Sequence, residues 1–200
     1  MKARTAGLVA LIAGALVIST ATISSATVSS ASSEATRSTG SVEQTAGTAA
    51  KRVKVNLTTS SPQLAACFPR ARAKVTVDLT TATLGKDTFT ISAGGLKPKT
   101  DFTVFLLEQS GAPFGAAEYI GDFTTDRRGE ATNTFKLIVE EAFAFNGGTG
   151  ARTDLGAIGF WFADPKDDDG CLGAGSPVTP FDGDGQAGVQ MMNSGTALLP

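Results

Sequence analysis

Apolar side chains at every second position constrain the fold of this 200-residue chain more than any other feature. Val53, Val55 and Leu57 alternate with polar residues, and the same pattern recurs at 75–79 and 89–92. Alternation of this kind places one side of a strand on a core and the other side in water. Because helical spacing is hard to find anywhere in the chain, the sequence predicts an all-β protein.

Further strands are predicted along the rest of the chain, at 102–107, 119–125, 131–139, 155–163 and 186–192. The turn Asp126–Gly129 has Asp in its first position and Gly in its fourth, which is typical of a type I turn. We therefore expect the strands on either side of it to form a hairpin. Short strands separated by turns, with no helices between them, predict an antiparallel sandwich or barrel.

The first 31 residues have the features of a signal peptide. Lys2 and Arg4 precede the apolar run Leu8–Ile18, and small residues offer cleavage points after positions 21, 26 and 31. As a helix, this run rises only about 16 Å, too little to cross a hydrocarbon core of about 30 Å. We expect an exported protein with no membrane span once 1–31 is removed. An uncleaved amphipathic anchor is the alternative.

Residues 32–50 and 51–200 differ sharply in composition. The first segment is rich in Ser, Thr and Ala and has almost no large apolar residue, so we expect a flexible, disordered linker. The second is expected to form a single domain. Cys67 and Cys171 in an exported chain predict one disulfide, with two free thiols as the alternative.

The chain contains no histidine, which excludes several kinds of chemistry. Ser-His and Cys-His nucleophile systems and histidine-based zinc sites all need this side chain. Removal of 1–31 lowers the number of basic residues from 17 to 15 and leaves the number of acidic residues at 19, so the net charge becomes about −4. Nucleic acids and anionic membranes need a basic surface, so neither is expected as a partner.

Clustered aspartates near the C-terminus are candidate calcium ligands. They are Asp167, Asp169, Asp182 and Asp184, each close to a glycine in a turn-rich stretch. Calcium takes six to eight oxygen ligands, and closely spaced carboxylates in a tight loop can supply several of them. Neither run completes an EF-hand pattern, and the alternative is a solvated loop.

Aromatic and acidic side chains provide two further candidate sites. Phe160, Trp161 and Phe162 form either an aromatic ligand platform or part of the core. Paired carboxylates can perform glycosidase chemistry when they face each other across a cleft, and otherwise they are charges on the outer faces of strands. The candidate carboxylates are Glu108, Glu118, Asp122, Glu140 and Glu141.

The segment Gly95–Val104, with the sequence GLKPKTDFTV, resembles the corner before the sixth strand of fibronectin type III and related immunoglobulin-like domains. The resemblance implies an immunoglobulin-like β-sandwich in which Leu96 plugs the edge of the core and Pro98 stiffens the turn. Phe102 would begin a buried strand, but it lacks the hydroxyl group of a tyrosine corner. The early tryptophan of those domains is also missing, since Trp161 is the only one.

A second resemblance is to the neocarzinostatin-type apoproteins, which are secreted immunoglobulin-like sandwiches that carry a small chromophore. It is based on Thr125-Asp126, Gly129, Ala131 and the pattern Phe143-x-Phe145-x-Gly147, together with the Gly95-Leu96 corner. Those proteins have two local disulfides, which two distant cysteines cannot supply.

Together these patterns predict a secreted, non-catalytic β-sandwich that binds an extracellular ligand or surface, or acts in adhesion. The alternative is a small-molecule carrier with an aromatic-lined cleft. A third hypothesis is a hydrolase that uses carboxylates alone, with or without calcium. Calcium is the one cofactor that the sequence suggests.

Overall fold

The computed structural model describes residues 51–139, 142–145, 150–180 and 185–200. Several sequence predictions lie outside the described residues. They concern the signal peptide and linker at 1–50 and the side chains of Glu140, Glu141, Asp182 and Asp184.

The described chain is built almost entirely from β-strands. They are β1 (Lys51–Thr59), β2 (Arg72–Leu79), β3 (Asp87–Gly94), β4 (Asp101–Leu107), β5 (Ala117–Thr124), β6 (Ala131–Leu137), β7 (Phe143–Phe145), β8 (Arg152–Asp154), β9 (Ala157–Phe162), β10 (Thr179–Pro180), β11 (Gln186–Ala187) and β12 (Gln190–Asn193). Three short α-helices and one turn of 3₁₀ helix that the sequence patterns did not predict lie in the connections. The α-helices are α1 (Pro62–Cys67), α2 (Thr81–Leu84) and α3 (Asp169–Leu172), and the 3₁₀ turn is Pro165–Asp167. None of the described helices is long and apolar enough to cross a bilayer.

Eight strands form one antiparallel sheet with the order β5-β4-β9-β12-β1-β2-β3-β6. It folds over at β1, whose last two residues, Thr58 and Thr59, pair with β12 while the rest of β1 pairs with β2. The result is two facing layers of four strands: the first layer is β1-β2-β3-β6 and the second is β5-β4-β9-β12. This arrangement confirms the predicted all-β, antiparallel sandwich and gives it a barrel-like character.

The two end strands of the sheet, β5 and β6, meet without a ladder of backbone hydrogen bonds. Asn133 Nδ2 donates to the carbonyl oxygen of Asp122 at 2.7 Å. Phe135 lies against Gly121, where a Cβ would be 2.6 Å from the Phe135 ring. Glycine at this position therefore lets the two ends of the sheet approach each other.

The main core lies between the layers and is formed by alternate residues of the long strands. The first layer contributes the buried side chains of Val75, Val77, Phe89 and Ile91 to this core. The second layer contributes a larger aromatic group. In that group Phe102 stacks on Phe123 with ring centroids 5.3 Å apart. The residues in between point outward, so the predicted period-two pattern divides each strand of the first layer into a core side and a water side.

The corner from β3 to β4 carries the chain from the first layer to the second, as the fibronectin-like pattern implied. Leu96 and Phe102 are both buried. Thr125 is also buried and closes the corner through hydrogen bonds. Its Oγ1 accepts a hydrogen bond from Thr100 N at 3.0 Å and donates to Lys97 O at 2.6 Å.

The hairpin predicted around Asp126–Gly129 is wrong, although the turn itself forms. Gly129 N donates to Asp126 O at 3.1 Å, but β5 pairs with β4 and β6 pairs with β3. The turn is pressed against the β3–β4 corner, since a Cβ on Gly129 would lie 2.1 Å from Leu96 O. It thus crosses between the layers. A type I turn reverses the chain direction locally, but it does not determine which layer the next strand joins.

The predicted disulfide between Cys67 and Cys171 is confirmed. It joins the last residue of α1 to α3, with an S–S distance of 2.09 Å and a Cα–Cα distance of 5.8 Å. Ser61 caps α1 by accepting a hydrogen bond from Leu64 N at 3.2 Å, and Leu64 anchors the helix in the core. The bridge therefore connects two short connecting helices that lie 104 residues apart in sequence.

Candidate functional site

The outward side of the first layer is the most distinctive polar surface of the described chain. Antiparallel pairing aligns its even-numbered residues into rows that run across the four strands. One row is Lys54, Thr76, Thr90 and Thr134, the next is Asn56, Lys74, Ser92 and Thr132, and the third is Arg52, Asp78, Thr88 and Lys136. We call these side chains, together with Arg72 and Glu130 at one end of the rows, the polar face.

Hydroxyl groups occupy the centre of the polar face and bond to their neighbours. Thr90 Oγ1 and Thr134 Oγ1 are 3.2 Å apart, and Thr132 Oγ1 donates to Ser92 Oγ at 3.4 Å. A threonine hydroxyl has one proton and two lone pairs, so each retains capacity for a further partner. Because β-branched side chains have few rotamers, the strands hold these hydroxyls at fixed spacings.

The arginines and the lysines of the polar face differ in their partners. Arg52 forms an ion pair with Asp78, and this hydrogen bond and charge raise the pKa of the Arg52 guanidinium above its usual value. Arg72 pairs with Glu130 at 3.2 Å.

The lysines stand apart from these pairs. Lys54, Lys74 and Lys136 form no ion pair with any carboxylate in the described part of the chain. Lys136 donates to the hydroxyl of Thr88. Three exposed ammonium groups therefore have no ion-pair partner among the residues that the structure describes.

A shallow depression of about 530 Å³ lies at the end of the polar face near Arg72. Lys74, Ser92 and Thr132 line it, and the Arg72–Glu130 pair forms one side. At Gly94 an added Cβ would be 2.8 Å from the Arg72 guanidinium, so glycine leaves room for the Arg72 side chain beside the depression. The polar face therefore has a concave region as well as charged side chains.

The predicted aromatic platform does not reach the surface. Phe160, Trp161 and Phe162 each have an exposed fraction of 0%, because β9 is covered on both sides. Phe160 and Phe162 belong to the main core. Trp161 points to the other side of the second layer, where Phe114 and Phe105 cover it with ring centroids 5.1 and 5.5 Å away. The sequence pattern could not reveal that Trp161 is covered, because the covering residue Phe114 comes from a connection remote in sequence.

Asp167 and Asp168 have structural partners. Asp167 Oδ1 is 2.6 Å from the ammonium group of Lys97, and Asp169 is the half-buried first residue of α3. Among the described residues, no three acidic, cysteine or histidine side chains lie close enough together to hold a metal ion. Asp182 and Asp184 lie outside the described residues.

Asp168 is the buried member of this run, and the sequence analysis did not single it out. One carboxylate oxygen accepts from the Ser176 hydroxyl, and the other accepts from Val189 N at 2.9 Å. A Cβ on Gly188 would be 2.4 Å from this second oxygen, so glycine makes room for the carboxylate. Asp168 therefore fastens the α3 region to the chain before β12.

Two described members of the carboxylate set, Glu108 and Asp122, also have structural partners. Glu108 Oε2 accepts from Ala116 N at 3.0 Å across the β4–β5 connection, and Asp122 accepts from the hydroxyl of Tyr119 at 2.8 Å. Glu118 is exposed on β5.

These observations define the chain as a two-layered antiparallel β domain with one hydroxyl-rich, cation-bearing sheet face. Comparison with protein-family models, with curated proteins and with solved structures finds no match to this chain. The polar face was present in the sequence as the water side of the same alternation that identified the strands. What the sequence did not indicate was which strands become neighbours.

Proposed function

We propose that this protein is an exported, non-catalytic binding or adhesion module whose ligand surface is the polar face. The observation that carries the proposal is the combination, on one sheet face, of lysines without an ion-pair partner among the described residues, a row of threonine hydroxyls and a depression of about 530 Å³. The apolar N-terminal run and the disulfide support export, because disulfides persist in oxidising compartments.

A rigid sheet suits this task because little order must be gained when a ligand binds. Antiparallel pairing fixes the backbone of all four strands, and neighbouring hydroxyls already orient one another. Preorganised groups lose less side-chain entropy on binding than mobile ones. An extended polymer that lies across the strands along the row Lys54, Thr76, Thr90 and Thr134 would meet an ammonium or a hydroxyl group on each strand.

The burial of Trp161 counts against the alternative of a small-molecule carrier. That proposal needs a cleft between the layers lined by Phe160, Trp161 and Phe162, yet all three are part of packed clusters. We therefore propose the polar face, and no cleft between the layers, as the ligand surface.

We also propose that the domain is immunoglobulin-like in its layers, with its own chain order. Support comes from the corner at 95–101 and from the two packed antiparallel sheets. In immunoglobulin domains the order within one sheet is A-B-E-D, so the strand beside B comes late in the chain. Here β3, the next strand along the chain, lies beside β2.

The proposal is tested with a variant that removes one row of hydroxyls while keeping shape and charge. Thr76, Thr90 and Thr134 are replaced together by valine, and Thr103→Val on the second layer is the control. We expect wild-type protein and the control to be retained on at least one of immobilised cellulose, chitin, chondroitin sulfate or polygalacturonate. The row variant should show at least roughly tenfold weaker retention, since it loses several hydrogen bonds.

Two results would contradict the proposal. One is that wild-type protein binds none of the four polymers. The other is that the row variant, shown to be folded by circular dichroism, binds as well as wild type.

A further inference from the structure

We infer that the ligand of the polar face is an acidic polysaccharide, a polymer of sugars that carry carboxylate groups; this inference rests on the proposed function. The first argument is the distribution of charge. The polar face has five basic and two acidic side chains, a net charge of +3, whereas the whole chain has a net charge of −2. Positive charge is therefore concentrated on this surface of an otherwise acidic protein.

Second, the basic side chains of the polar face that can bind an anionic ligand are its lysines. Ion pairs with Asp78 and Glu130 already occupy Arg52 and Arg72. The three lysines have no such partner in the described residues, and each is exposed. Flexible, strongly hydrated ammonium groups suit carboxylates that recur along a chain and need no fixed geometry.

The third argument is the spacing of the lysines. They come from β1, β2 and β6, and the first and last of these strands are three strand intervals apart. With neighbouring strands about 4.8 Å apart, this separation is roughly 14 Å. The lysines also lie in three different rows, so they spread over an area that a polymer with repeated charges can cover, whereas a single small anion can contact only one or two.

The fourth argument distinguishes a glycan from other polyanions. The polar face has no aromatic side chain, so it has no platform on which nucleic-acid bases can stack. It also has no large apolar side chain to enter a bilayer. Its six hydroxyl groups and the amide of Asn56 are the donors and acceptors that sugar hydroxyls need.

The test uses polygalacturonate and its fully methyl-esterified form, which differ in whether the carboxylates are charged. One variant combines Lys54→Gln, Lys74→Gln and Lys136→Gln. The control combines Lys86→Gln, Lys99→Gln and Lys166→Gln, which removes the same charge from exposed lysines elsewhere. Affinity is measured at low and at physiological salt, and melting temperatures show that all the proteins are folded.

We expect wild-type protein and the control to bind polygalacturonate, to lose affinity as salt rises, and to bind the ester at least roughly tenfold more weakly. The polar-face variant should lose roughly tenfold in affinity for polygalacturonate. Equal binding of both polymers, with no effect of the lysines, would overturn the inference. If the valine row variant still lost binding in that case, the proposed function would remain.

Two further arms use duplex DNA and vesicles of anionic phospholipid. Binding of either as tightly as polygalacturonate, through the same lysines, would overturn the choice of a glycan. Failure to bind any polymer in the panel would overturn both proposals.

Discussion

At the scale of single residues, Asp87 shows how this fold stabilises a buried charge. One carboxylate oxygen accepts from Thr80 N and Thr81 N at 2.7 and 2.8 Å, and the other accepts from Val139 N at 2.9 Å. Burial raises the pKa of Asp87, but the hydrogen bonds from Val139, Thr81 and Thr80 outweigh it, so the pKa lies below its ordinary value. Asp87 thereby joins the start of β3 to the end of β6. Nothing in its sequence neighbourhood marks it, because its partners are backbone groups that only the fold brings together.

Replacement of Asp87 by asparagine should lower the free energy of unfolding by about 2 kcal/mol at neutral pH. The amide group of asparagine turns an N–H donor towards backbone N–H groups that need an acceptor. The measurement is urea denaturation, with Asp154→Asn as the control, because the side chain of Asp154 is 80% exposed and pairs with Arg152 on the surface. Equal stability of the two variants would contradict the structural role of Asp87.

The same carboxylate predicts how stability depends on pH. A lowered pKa in the folded state means that the contribution is complete above the unfolded pKa, near 4. It is lost as the pH falls below that value and through the folded pKa. Wild-type protein should therefore lose more stability than Asp87→Asn between pH 6 and pH 2.5. Parallel losses in the two proteins would show that other groups control acid unfolding.

At the scale of elements, β9 shows which part of the fold the sequence could reveal. Its uninterrupted apolar run indicated a strand, and the alternation elsewhere correctly separated inward from outward residues of β1, β2 and β3. The run could not show whether Trp161 was covered, because Phe114 approaches it from another connection. The turn at 126–129 was misread for a related reason, since Thr125 bonds to a corner about 25 residues away. Local patterns gave strands and faces, whereas long-range contacts decided pairing and burial.

A matched pair of phenylalanine substitutions tests the packing of β9. Phe160→Ala removes a ring from the main core and should lower the free energy of unfolding by about 3–5 kcal/mol. Phe145→Ala, on the exposed strand β7, should change it by less than about 0.5 kcal/mol, because Phe145 is 62% exposed. Denaturation followed by Trp161 fluorescence measures both, and similar losses would contradict the assigned burial.

At the scale of the whole molecule, the disulfide and the sheet restrain the same chain in different ways. The strands join neighbours in the sheet, whereas Cys67–Cys171 joins two connecting helices across 104 residues. A crosslink over so long a loop removes much of the freedom of the unfolded chain. The first and last strands of the sandwich, β1 and β12, are in turn joined directly by backbone pairing.

Replacement of both cysteines by alanine should lower the free energy of unfolding by up to about 4–5 kcal/mol, the chain-entropy value for a loop of this length. Addition of dithiothreitol to wild-type protein should reproduce most of that loss and should leave the double variant unchanged. Urea denaturation under both conditions measures the effect. A double variant as stable as oxidised wild type would show that the bridge does not constrain the unfolded state.

The contact between Gly121 and Phe135 bears on how copies of this protein behave when crowded. Exposed margins of a β-sheet invite strand addition from neighbouring molecules and so favour fibril growth. Here each terminal strand shields part of the other, and the Asn133 amide occupies a carbonyl that an incoming strand would otherwise use. Dense display on a surface is therefore compatible with copies that remain separate.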